Sequence, residues 1–158
     1  MKKNNGITMV ALIITVVILI IIAGISINVG GKAITISKLE NLKTNMLLIE
    51  VKAKEQVENA NFDLGTNIDK VTKEEKNTRI EQAKGELKGE EITTGDIFSN
   101  NVKITTETIQ EENKNNIYYY KISTQDLIDM GLNKLKSSEE EGYYVVRYDL
   151  KNTKTEIY

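Results

Sequence analysis

Residue types able to do acid–base, nucleophilic or metal chemistry are scarce in this chain. Cys, His, Trp and Pro are absent from its 158 residues. That excludes disulfides, thiolate nucleophiles, imidazole bases and the usual zinc ligand sets. Carboxylates and tyrosines remain. The run Glu139-Glu140-Glu141 supplies oxygen ligands but lacks the alternating pattern and central Gly of an EF-hand loop, so it reads as a solvated acidic loop. Tyr118, Tyr119, Tyr120, Tyr143, Tyr144, Tyr148 and Tyr158 could stack on sugars or bases. At strand positions, however, tyrosines line half-buried sheet faces, and the local acidity disfavours nucleic acid. No Ser–base pair, paired-carboxylate motif or Gly-rich phosphate loop stands out. No catalytic residue, metal site or cofactor is therefore expected, and the chain does not read as an enzyme with a small-molecule substrate. With 21 basic and 23 acidic residues interspersed, no nucleic-acid surface is expected either.

The element that organises the chain is the apolar stretch Gly6–Val29, behind the polar leader Met1–Asn5. No charged residue lies between Lys3 and Lys32, and about 20 apolar residues suffice for a helix to cross the hydrocarbon core. Three readings of this N-terminus compete. A secretory signal peptide has an apolar region of roughly 7–15 residues, and this run is longer. A plain signal anchor explains the length and an inward N-terminus, although Lys32 and Lys38 on the far side weaken the positive-inside contrast. The third reading rests on the border, where a Gly directly precedes the apolar run and every basic residue of the leader precedes that Gly.

The segment Lys2-Lys3-Asn4-Asn5-Gly6, followed by Ile7-Thr8-Met9-Val10-Ala11-Leu12, resembles the class III leader of type IV pilins and pseudopilins. The resemblance implies cleavage between Gly6 and Ile7 by a prepilin peptidase, N-methylation of Ile7, and an assembly helix that begins with Thr8, Ala11 and Leu12. Ala11 is a departure, since most major pilins carry Glu there to meet the N-terminal amine of a neighbouring subunit. An amine without that carboxylate is costly to bury. Subunits lacking this Glu include minor or tip ones, and Gram-positive pilin-like proteins often have Ala at this position. What the resemblance implies for the fold is α+β, a long N-terminal helix packed on a small antiparallel sheet. Its expected partners are the membrane, the prepilin peptidase and other pilin-like subunits.

Beyond the membrane, Gly30-Gly31 marks a soft point, because each Gly costs about 1 kcal/mol of helix propensity relative to Ala. Leu39, Leu42, Met46, Ile49, Ala53, Val57 and Ala60 then recur at spacings of three and four, one face of an amphipathic helix. A helix running from Ile7 to about Ala60 would be on the order of 80 Å long. Gly65 is its expected stop. Thr72 and Glu75 form a capping-box pattern for a second helix carrying Ile80, Ala83 and Leu87 and ending near Gly85 to Gly89, and a short strand is expected around Ile92. Alternation over Val102–Thr108, a polar turn over Glu111–Asn116 and the run Ile117–Ile122 read as a hairpin. Ser123 or Thr124 caps a short helix with Leu127, Ile128, Gly131, Leu132 and Leu135 on one face. Tyr143–Tyr148 reads as a strand, Asp149–Asn152 as a turn, and Thr153–Tyr158 as the returning strand.

The expected organisation is a leader over 1–6, a transmembrane and assembly helix over 7–29, an amphipathic extension over 30–61, a helical and loop connection over 62–101, and a C-terminal antiparallel sheet domain over 102–158. The expected function is a pilin-like structural subunit of a type IV pilus or related filament system, in the cytoplasmic membrane as a single pass with its C-terminal domain outside, or in a cell-surface filament. The alternative is a single-pass anchored extracytoplasmic binding module that does not polymerise.

Overall fold

The computed structural model describes residues 35–95, 97, 104–137 and 142–158 in full, and the helical backbone alone over 9–34. The chain is α+β. Helix α1 spans Met9–Leu64 and continues through Gly30 and Gly31. After a 3-10 turn at Ile68–Lys70 come α2 (Lys73–Gly85), β1 (Glu90–Ile92), α3 (Thr106–Asn113), β2 (Ile117–Ile122), α4 (Thr124–Asp129), β3 (Tyr144–Asp149) and β4 (Lys154–Ile157). Two compact units divide the chain, the first ending at Lys43 and the second comprising Thr44–Tyr158. In the first, Ile36, Leu39 and Leu42 are exposed.

In the second unit the strands form one antiparallel sheet in the order β1-β2-β3-β4. Tyr118 lies opposite Tyr148, and Tyr148 opposite Thr155. Because side chains alternate along a strand, the sheet has two apolar faces. Tyr118, Tyr120, Ile122, Val146 and Tyr148 join one cluster with Ile49, Ala53, Val57, Ala60 and Leu64 of α1 and Leu127 of α4. Tyr119 and Val145 join a smaller one with Ile97, Ile104 and Ile109. Burying each large aliphatic side chain contributes about 1.5–3 kcal/mol, and the strict three-and-four spacing of the α1 residues directs that gain onto the sheet. Tyr120 and Tyr148 meet edge to face, with centroids 5.6 Å apart.

Several expectations match the fold. The α1 helix stops at Leu64, where Gly65 takes φ +70° and its N–H bonds Asn61 O at 3.1 Å. Thr72 caps α2, its hydroxyl accepting from Glu75 N–H at 3.3 Å. The reciprocal half of that box is replaced by a Glu75–Arg79 ion pair. Around α4 the box is complete, between Ser123 and Asp126. The strand expected at Ile92 is β1.

Others are corrected. Thr106–Thr108, expected as part of a strand, form the first turn of α3, so the expected hairpin between 102–108 and 117–122 does not occur; residues 102 and 103 lie outside the described residues. Thr105 caps α3 by accepting from Thr108 N–H at 3.3 Å. Ile104 before the cap and Ile109 within the helix share a cluster, the positions of a hydrophobic staple. Local capping plus that contact outweighs the β-propensity of the threonines. Helix α4 ends at Asp129 because Gly131 turns to φ +80° and Leu132 N–H reaches back to Leu127 O at 2.7 Å. That leaves Ile128 and Gly131 exposed while Met130 is buried. The last turn falls at Leu150–Thr153, held by Asp149 Oδ1 accepting from Asn152 N–H at 3.0 Å. Burial of the α1 stripe begins only at Ile49; Leu39 and Leu42 stay exposed.

Candidate functional site

The residues on which sequence reasoning placed processing and assembly, Gly6, Ile7, Thr8, Ala11 and Leu12, have side chains outside the described residues. So does the acidic run Glu139–Glu141. The described part of the chain nevertheless contains several polar clusters and an exposed apolar face.

The most connected cluster lies between α3 and the outer face of the sheet. Arg147 on β3 donates from Nε to Glu112 Oε2 at 2.9 Å and from Nη2 to Oε1 at 3.0 Å. Tyr119 on β2, directly opposite Arg147 in the sheet, donates its hydroxyl to the same Glu112 Oε2 at 2.6 Å. Glu156 on β4, also opposite Arg147, accepts from its Nη1 at 3.4 Å and from the Tyr158 hydroxyl at 2.7 Å. Burial favours the neutral form of Glu112, but the bonds from Arg147 and Tyr119 and the charge of Arg147 outweigh it and hold the carboxyl below the ordinary range. Glu112 reciprocally holds Arg147 more firmly protonated. A fork-to-fork pair of this kind fixes geometry as well as charge. Three Arg147 N–H groups and both Glu112 oxygens are engaged, and the pair clamps α3 onto the sheet.

Five tyrosines behave alike. Burial, reinforced by Glu91, pushes Tyr118 up to about 12, and burial, reinforced by Glu156, pushes Tyr158 up to about 12. Burial also raises Tyr119, Tyr120 and Tyr148. All five stay protonated at neutral pH, and three of them donate their hydroxyls: Tyr119 to Glu112, Tyr158 to Glu156, and Tyr148 to Gln56 Oε1 on α1 at 2.8 Å.

Two further groupings join elements. Asp69 pairs with Lys151 at 2.7 Å and Lys76 at 3.0 Å, and both hydrogen-bonded lysines hold its carboxyl low. Beside it Asn61 Nδ2 donates to Leu150 O at 2.6 Å, tying the end of α1 to the last turn. Lys84 pairs with Glu91 at 2.6 Å and lies 5.0 Å over the Tyr118 ring.

Open clefts flank these groups. One, of about 420 Å³, is bordered by Gly89, Lys121, Ser123, Asp126, Ser137 and Tyr143. Its polar groups serve the fold: Ser137 Oγ donates to Ile122 O at 2.5 Å and accepts from Tyr144 N–H, Asp126 completes the α4 cap, and Lys121 sits 4.4 Å over the Tyr143 ring. Gly89 is required there, because at φ +109° a Cβ would meet Lys121 O at 2.7 Å. Another cleft, of about 590 Å³, lies beside Phe62, Leu64, Ile68 and Lys151. Among the described residues no group of three or more acidic side chains could hold a metal ion.

The exposed apolar face is on α1. Leu47 is 61% exposed, Leu48 45% and Val51 68%. They occupy the side of the helix away from the buried stripe of Ile49, Ala53 and Val57. Adjacent exposed aliphatics on one helix face mark a contact surface more often than scattered ones do. Sequence reasoning attended to the opposite stripe and passed over these three, although Val51 stands three residues after Leu48 and four after Leu47. It also passed over Glu112 and Arg147, which stand 35 residues apart and are joined only by the fold.

Among the described residues no helix is long and apolar enough to cross a membrane; of Gly6–Val29, the expected span, only the helical backbone from Met9 onward is described. No protein family, curated protein or solved structure matches this chain.

Proposed function

We propose that this chain is a pilin-like structural subunit of a type IV filament system, cleaved after Gly6, held in the cytoplasmic membrane by Gly6–Val29 with its C-terminal unit outside, and assembled through α1. The observation that carries the reading is the leader border in the sequence, with Gly6 immediately before an uncharged run that ends at Lys32. The α+β architecture supports it: α1 continues past that run to Leu64 and lays one stripe on a four-stranded antiparallel sheet. Ala11, in place of the usual Glu, assigns the subunit to the minor or Gram-positive pilin-like kind.

In this mechanism the leader is removed on the cytoplasmic side, and Ile7 becomes the N-methylated terminus. The helix then leaves the bilayer to pack its Ile, Val and Leu side chains against equivalent helices. Intact-mass and N-terminal peptide spectrometry of the protein from cells with a prepilin peptidase tests this. A start at methylated Ile7 is expected, and Gly6→Val should leave the leader in place. A start at Met1 in such cells overturns the reading in favour of an anchored binding module.

A further inference from the structure

Two stretches of α1 carry the same spacing with opposite charge. Ile36, Leu39 and Lys43 stand at i, i+3 and i+7, and all three are exposed. Leu48, Val51 and Glu55 repeat that spacing twelve residues on and are exposed as well. Residues so spaced share one face of a helix. Leu47 and Glu58 extend the second stripe. Neither Lys43 nor Glu58 has an ion-pair partner among the described residues. Among the described residues Glu55 pairs only with Lys52, at 3.2 Å on an exposed surface, an attachment of little worth.

We infer that the Leu48–Val51–Glu55 stripe of one copy docks on the Ile36–Leu39–Lys43 stripe of a second, parallel copy displaced along the helix axis by about 18 Å, twelve residues at roughly 1.5 Å each. In that register Ile36 faces Leu48, Leu39 faces Val51, and Lys43 faces Glu55 and Glu58. The antiparallel arrangement sets the charged ends against apolar side chains and loses the pairing. The two stripes are different surfaces of one molecule, so the contact is heterologous: each copy offers both halves, and repetition produces an open filament in place of a closed dimer. This rests on the filament reading above and names its partner and register.

Absence of cysteine makes disulfide trapping clean. Leu39→Cys and Val51→Cys chains with different tags, co-expressed at full length and oxidised in intact membranes, should give a mixed disulfide stronger than either self-pair. Lys43→Glu on the first chain should lower its yield about two- to fivefold, the effect of one exposed charge pair, and Glu55→Lys on the second should restore it. A dominant Val51→Cys self-pair, cross-linking to an unrelated protein, or no cross-link overturns the register; a mixed disulfide indifferent to both charge changes overturns the charge pairing. Leader cleavage, measured on the same membranes, separates the two claims. Cleaved chains without the mixed disulfide sink the register alone, whereas uncleaved chains that form it sink the filament reading and leave the contact.

Discussion

At the scale of residues, the Glu112–Arg147 pair shows how a polar contact specifies where α3 sits. Arg147 is 14% exposed and Glu112 26% in their side chains, so removing one partner strands a charge in a partly dry site. Arg147→Leu is expected to cost about 2 kcal/mol, the range of a charge-assisted hydrogen bond with its desolvation penalty, read as a lower urea midpoint at pH 7. The pH dependence has a definite sign. The folded-state carboxyl of Glu112 lies below its ordinary value, so its contribution is complete above the ordinary carboxylate range and lost as pH falls through the lowered value. Glu112→Gln should therefore destabilise the protein at neutral pH and shrink its loss of stability on acidification. Equal acid sensitivity of the Glu112→Gln variant and the wild-type chain would rule this linkage out.

At the scale of elements, α1 has two sides with different tolerances. Ala53 and Ala60 are fully buried, which allows the helix to lie close to the sheet. Ala53→Leu should cost about 1–3 kcal/mol by overpacking. Leu47→Ala and Val51→Ala should change stability by no more than about 0.5 kcal/mol, as exposed substitutions do, while reducing contact between copies. Thermal melts of the three variants check the contrast; a Val51→Ala loss as large as that of Ala53→Leu would mean that the exposed face is misassigned. The elements differ in how legible they were. Helix α1, β2 and β3 stand out because long periodic or β-branched and aromatic runs agree with their final burial. Helix α3 does not, because its threonine-rich start looks like strand until Thr105 is recognised as a cap and Ile104 and Ile109 as its staple. The extent of α4 was equally ambiguous, since Gly131 closes it by a positive φ that periodicity cannot register.

At the scale of the whole molecule, the expected behaviour follows from Gly6–Val29. The full chain should sediment with membranes and resist a carbonate wash, because no charge interrupts that stretch, and its recovery as a soluble protein would refute the anchor. The sequence by itself determined this apolar segment, the Gly at its border, the lack of thiol and imidazole chemistry, and the stripe of α1, because each is a property of composition or local spacing. Only the tertiary structure decided which tyrosines face α1 and which face α3, that Glu112 and Arg147 meet, and that burial of the stripe starts at Ile49 while Leu47, Leu48 and Val51 stay bare. Those outcomes depend on strand register and on which helix face the sheet covers, and both arise from long-range pairing that no local window of residues encodes.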